Sequence, residues 1–292
     1  MAIALPELSS PRPPSRIGRY AREAFRYPIL PVAVLVIVLL IPALGANWIA
    51  PYDPLKGDMK NRFAEPSAQH WFGTDDIGRD VLSRVMHGAR VSMLVASVAI
   101  LISGIIGTTF GIVSAFYGGW ADNLMMRLVD ISLSLPIIVV AIVVAAMAGP
   151  SMKILIAVLV LSQWSRYARL VRGEALTIRA QDYISRARVS GASNGRIMLR
   201  YIFPNIVNTI VVLATLQVGF VIVLEATLSF LGAGISRPTP AWGVMVADGR
   251  SFVTDAWWLS FFPGLAILLT VLSMNLLGDW LRDKLDPKQR NL

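Results

Sequence analysis

Residues 154–172 read Ile154-Leu-Ile-Ala-Val-Leu-Val-Leu-Ser-Gln-Trp-Ser165-Arg166-Tyr-Ala-Arg169-Leu-Val-Arg172, and whether this stretch crosses a bilayer decides the fold. A helix rising 1.5 Å per residue needs about 20 apolar residues to cross a hydrocarbon core of about 30 Å. The uncharged part, Ile154 to Ser165, falls well short of that. Three arginines follow at every third position, so their charged heads can snorkel to the interface while the helix continues to Val171.

Five other runs meet the length test without help: Ile29 to Ala50, Val91 to Trp120, Ile131 to Met152, Ile206 to Leu231 and Ala256 to Gly278, with Glu225 their single charged residue. Charge sidedness then decides the disputed one. Six spans with an inner N-terminus place 18 of the 27 Lys and Arg inside and 9 outside. Five spans would move the eight arginines from Arg166 to Arg200 to the outer face, against the positive-inside bias. The expectation is an all-α membrane protein of six transmembrane helices with cytoplasmic N- and C-termini.

The chain divides accordingly. Residues 1–28, with Pro6, Pro11, Pro13 and Pro14 ahead of Arg16, Arg19, Arg22 and Arg26, form a cytoplasmic tail ending in a basic interfacial segment. A first helix at 29–50 is too long, and lacks the small-residue cleavage site, for a removed signal peptide. An outer loop at 51–90 balances six acidic and six basic side chains and carries a short helix from Asp80 to His87. The five-helix core spans 91–281, including an inner loop at 172–205, and a tail follows at 282–292.

Composition excludes several functions. At 55% hydrophobic and 15% charged, the chain departs from the roughly 45–50% apolar and about 25% charged of soluble domains. Its charge of +9 therefore points to the membrane, not to nucleic acid. With no Cys and only His70 and His87, it carries no thiol chemistry, metal cage or membrane-embedded nucleophile and base. No G-x-x-x-x-G-K-[ST] cradle is present, so ATP is not hydrolysed here by that device, and energy comes from a partner or a gradient.

Within the inner loop, Gln181 to Val189 predicts a short helix, Gly191 its left-handed stop, and Pro204 the opening of the next span. This reads as a cytoplasmic helix presented for docking; a basic solvated connector is the alternative. Gly107 and Gly111 form a G-x-x-x-G pair for close helix approach. Asp130, three residues after Arg127, predicts an interfacial ion pair. Pro136 predicts a kinked third span, and Glu225 either lines a pathway or pairs with another subunit. Trp257 and Trp258 read as interfacial anchors.

The inner loop resembles the signature loop of binding-protein-dependent ABC importer permeases, Glu-Ala-Ala, three residues, Gly, nine residues, Ile-x-Leu-Pro. Ala187, Gly191 and Pro204 match at the right spacing, while Ser185, Arg186, Tyr201 and Phe203 depart from it. The stretch from His70 to Arg84, Trp164 to Glu174, Leu228 to Gly232, Pro240 to Gly243, Phe262 to Gly264 and Asn275 to Asp279 are similar to the dipeptide, oligopeptide and nickel branch, closest to its C-type subunit.

The resemblance implies a type I importer permease in the inner (plasma) membrane of a bacterium or archaeon. It pairs with a homologous second permease, two ATP-binding subunits and an extracytoplasmic substrate-binding protein. Coupling to the ATPases falls to Tyr183, Ser185, Arg186, Ala187, Gly191, Ala192 and Pro204, with Mg-ATP on those partners and no cofactor on this chain. Peptides are the expected cargo; nickel chelates, glutathione or another small solute fill the same role in the branch. A self-sufficient gradient-driven transporter using Asp130 or Glu225 is the competing class.

Overall fold

The computed structural model describes residues 28–285, so most of the N-terminal tail and the end of the C-terminal tail lie outside the described residues. Helix α1 spans Ile29–Ile49 and α2 Val81–Tyr117. They are followed by α3 (Gly119–Ser134), α4 (Ile137–Ala148), α5 (Met152–Arg179) and α6 (Asp182–Val189). The remainder comprises α7 (Asn194–Phe230), α8 (Trp242–Gly249) and α9 (Trp258–Leu285). Among the described residues the extended structure is confined to one bridge, between Thr74 and Asp80. Helices α1, α2, α5, α7 and α9 are each long and apolar enough to cross a membrane, and α3 with α4 makes a sixth candidate if the bent pair is one span.

The stretch at 154–172 lies wholly within α5, so it is helical as expected. The third run is bent at Pro136, as that residue predicts, but into two separate helices. Instead of one helix from Ile131 to Met152, the chain bends by 80° between α3 and α4. Pro136 disfavours a helical conformation in the residue before it, and Leu135 is extended at φ −76°, ψ 127°. At 12 residues, α4 is roughly 18 Å long and cannot cross alone.

Two further prolines are absorbed differently. Pro204 does not open a span: α7 begins ten residues earlier, where the Ser193 hydroxyl accepts from the Arg196 amide. A π-helical segment, Met198–Ile202, immediately precedes it. The same arrangement recurs in α1, where Val36–Leu40 is π-helical ahead of Pro42. In each case the last amide before the proline reaches back five residues, Ile41 to Val36 and Phe203 to Met198. The wider turn accommodates a residue that brings a ring and no donor, and the helix continues.

The short helix expected at Asp80–His87 is not separate. It is the start of α2, whose 37 residues give a length of about 55 Å, well beyond a bilayer core. The Asp80 carboxylate caps it, accepting from the Ser83 amide at 2.8 Å and hydroxyl at 2.7 Å and facing His70 Nδ1 at 2.9 Å. Two indoles clasp this end: Trp242 donates to the Val85 carbonyl at 2.9 Å and Trp258 to the Thr74 carbonyl at 3.1 Å. Trp258 is thus a buried strut and not the anchor expected; Trp257, half exposed, keeps an anchor's position.

The most extensive helix contact joins α2 to α5. Glycine permits it: a Cβ on Gly107 would stand 2.3 Å from the Trp164 carbonyl oxygen, and one on Gly111 2.7 Å from that of Ala168. The main apolar core lies among α1, α2, α5, α7, α8 and α9. A second, smaller core sits at one end of the bundle, beneath α6.

Candidate coupling site

Helix α6 is polar on most of its surface and buries two apolar positions one turn apart. Ile184 and Ala187 are both buried, and Ile184 joins an apolar cluster with Ile112 and Phe116 of α2, Ala175 of α5 and Ile197 of α7. The positions i and i+3 share a face, so two residues suffice to seat an eight-residue helix. Tyr183, Ser185, Arg186, Arg188 and Val189 remain exposed, Val189 at 90%. Ala187, expected among the coupling residues, therefore packs inward, while Tyr183, Ser185 and Arg186 face outward.

The end of α6 is fixed by its backbone. Gly191 has φ +80°, its amide donates to the Arg188 carbonyl at 3.1 Å, and the Ala192 amide donates to the Ala187 carbonyl at 3.1 Å. These paired bonds form a Schellman motif around a left-handed glycine, the stop predicted for this residue. Ala192 is half-buried and Ser193 then caps α7. Pro204 is exposed and lies beyond the π-helical segment, inside α7 and outside the connecting turn. The inner loop is consequently shorter than 172–205, because helix reaches Arg179 on one side and resumes at Asn194 on the other.

Cations tie the neighbouring helix ends together. Arg179 donates to the Ala115 carbonyl at 2.7 Å, supplying a cation to the last turn of α2. The Arg188 guanidinium lies 5.6 Å from the Phe116 ring centroid.

The three arginines of the decisive stretch each have a different protein partner. Arg166 stands 4.3 Å over the Phe220 ring, Arg169 pairs with Asp130 at 2.5 Å, and Arg172 grips Asp122 through two bonds of 2.6 Å. Asp122 also accepts from the Ser114 hydroxyl. Asp130 is thus paired across to α5, not to Arg127 along its own helix. The Asp130 pair is well exposed and contributes little, whereas the two-pronged Asp122 pair is better shielded.

Glu225 is 1% exposed, and its oxygens accept from Ser92 of α2 at 3.3 Å and Ser229 at 2.9 Å. It is engaged inside the chain, by a hydroxyl of α2 and one of its own helix. Sequence reasoning missed the Asp122–Arg172 clasp and a buried amide pair, Gln217 donating to Gln163 at 3.1 Å between α7 and α5. For the amide pair the available signal was a lone glutamine within each apolar run; for the clasp it was a carboxylate just past the end of one run and an arginine at the end of another. Among the described residues no group of three or more His, Cys, Asp or Glu side chains is placed to hold a metal.

Residues 107–291 match the family described as binding-protein-dependent transport system inner membrane component. The chain is 42% identical over 256 residues to the probable D,D-dipeptide transport system permease protein DdpC of Escherichia coli K12, covering 88% of this chain and 86% of that one. It is 38% identical over 301 residues to the dipeptide transport system permease protein DppC of Alkalihalophilus pseudofirmus, covering 99% and 97%. Against the glutathione transport system permease protein GsiD of Escherichia coli O6:K15:H31 it is 44% identical over 257 residues, covering 88% and 85%.

Proposed function

The chain belongs to the binding-protein-dependent transport system inner membrane component family and is a multi-pass inner-membrane permease subunit of a bacterial ABC importer; from that premise we propose that its cargo is short peptides and that α6 is its coupling helix. Support for the cargo comes from the relatives named for dipeptides and for glutathione, itself a tripeptide. Support for the coupling role comes from one observation. A short helix is seated on the ends of α2, α5 and α7 through Ile184, with Ala187 buried on the same face, while Tyr183, Ser185, Arg186 and Val189 stand free.

Such a helix acts as a lever. Its free face enters a groove on a cytoplasmic ATPase, and its seated face passes the displacement to the three helices beneath. Close packing favours transmission, because a dense core moves between discrete arrangements instead of yielding continuously. Mg-ATP is bound and hydrolysed by the two partner subunits, and this chain is non-catalytic. A second permease completes the pathway, both termini lie in the cytoplasm, and the outer segment around His70 to Arg84 receives the loaded binding protein.

The test is affinity purification of the tagged chain from its native membrane, followed by ATPase measurement with a peptide-loaded binding protein. Recovery of a second permease and Walker-motif ATPases, with hydrolysis stimulated by the loaded binding protein, is expected. Repeated recovery of the chain alone, with uptake that follows an ion gradient, would instead favour a self-sufficient transporter.

A further inference from the structure

Two clefts of similar size open between the helices, and their chemistry differs. One, of about 560 Å³, runs along α2 beside the π-helical segment of α7 and is almost wholly carbon-lined. The other, of about 520 Å³, lies between α5, α7 and α9 and carries Glu174, Asn205, Asn208, Thr209 and Arg282 among leucine and valine side chains. Mostly apolar walls with a few convergent polar groups, at a volume of roughly 300–1,000 Å³, are the usual form of a small-ligand site.

The polar groups are arranged with capacity to spare. Glu174 accepts from the Thr209 hydroxyl at 3.0 Å through Oε1, which orients the carboxylate; among the described residues no hydrogen bond is made to Oε2. Asn205 spends its amide on the Tyr201 carbonyl at 2.6 Å, leaving its oxygen as an acceptor. Asn208 makes no side-chain hydrogen bond, and Arg282 no ion pair, among the described residues. The cleft thus presents one carboxylate, one guanidinium and two carboxamides. A peptide with free ends presents one ammonium, one carboxylate and the amide between them. Position agrees with this chemistry, because Glu174 lies within two turns of Arg179, at the α6 end of the bundle.

We propose that the cleft between α5, α7 and α9 is a peptide-holding vestibule on the cytoplasmic side of the pathway, with Glu174 receiving the ammonium, Arg282 the terminal carboxylate and Asn205 and Asn208 the peptide bond. The inference rests on the peptide-import reading and adds to it the residues that meet the cargo. It also requires free peptide ends, since acetylation and amidation remove the charges the two side chains address.

The chain has no cysteine, so a single reporter can be introduced cleanly. In the purified importer complex, Val212→Cys, on the cleft wall but outside the proposed contacts, is labelled with a maleimide in the presence of dialanine or its N-acetylated, C-amidated counterpart. Dialanine should slow labelling and the capped compound should not. Adding Glu174→Gln should raise the dialanine concentration needed by about tenfold, the equivalent of one lost charge-assisted contact. Leu170→Cys, on the same wall, serves as the reporter if Val212→Cys does not assemble. Equal protection by both compounds, protection unchanged by Glu174→Gln, or none in either reporter overturns the vestibule and marks the cleft as a gap filled by solvent or by the second permease. Binding-protein-stimulated ATPase is measured on the same complex: its loss overturns the importer reading, whereas labelling decides the vestibule either way.

Discussion

Gly191 shows how much one residue can carry. Its φ of +80° is open to glycine at no cost, and a Cβ there would meet nothing within 4 Å, so any substitution acts through backbone conformation alone. Leucine is expected to cost about 1–2 kcal/mol in the left-handed region, while asparagine tolerates it. Gly191→Leu should therefore lower peptide uptake and stimulated ATPase at unchanged membrane levels, and Gly191→Asn should keep most of both. Equal activity in the two variants would show that the stop does not set the coupling helix. Glu225 makes a different kind of case. Replacing it with Leu leaves the Ser92 and Ser229 hydroxyls without their acceptor, a loss of about 1–3 kcal/mol. The thermal midpoint of the purified permease should fall for Glu225→Leu and much less for Glu225→Gln; matched midpoints would mean the two bonds carry no stability.

Among the elements, the pair α2 and α5 depends on missing side chains. A methyl group on Gly107 would overlap the Trp164 carbonyl, whereas one on Gly104 would rest 3.7 Å from the Tyr167 ring at ordinary contact distance. Gly107→Ala should destabilise the permease by about 1–3 kcal/mol, as overpacking does, and Gly104→Ala should be tolerated. Thermal melting of the two variants side by side checks the contrast, and equal melting would refute it. Prolines divide by the same logic of local geometry. Pro42 and Pro204, each preceded by a π-helical turn, let their helices run on, as Pro263 does inside α9 without one, whereas Pro136 ends α3 and starts α4 at 80°.

At the scale of the whole molecule, sidedness is the property on which the coupling assignment depends. Lys56 is exposed in the outer segment and Val189 at the end of α6, so single cysteines at these positions report opposite faces. Lys56→Cys should react with a membrane-impermeant maleimide in intact cells, and Val189→Cys only in everted vesicles. Labelling of both from one side would remove a span from the count and move α6 away from the ATPases. The pairing of Arg166, Arg169 and Arg172 with Phe220, Asp130 and Asp122 bears on the same count. It gives the basic end of α5 three protein partners where it leaves the apolar run.

The five long helices α1, α2, α5, α7 and α9 as membrane-spanning candidates, the left-handed stop at Gly191 and the close approach at Gly107 and Gly111 were legible in the chain itself. Each rests on local rules: apolar run length, the conformational freedom of glycine and the room left by an absent Cβ. Only the tertiary structure decided which way Ala187 faces, that Glu225 is held by Ser92 from 133 residues away, and that Asp130 pairs with α5. It alone brought Glu174 of α5 and Arg282 of α9 to one cleft. The physical reason is common to these cases. Backbone preference acts over a turn or two, whereas burial and charge pairing are settled by whichever helix packs alongside, and a helical period places a residue on a face without naming the neighbour that face will meet.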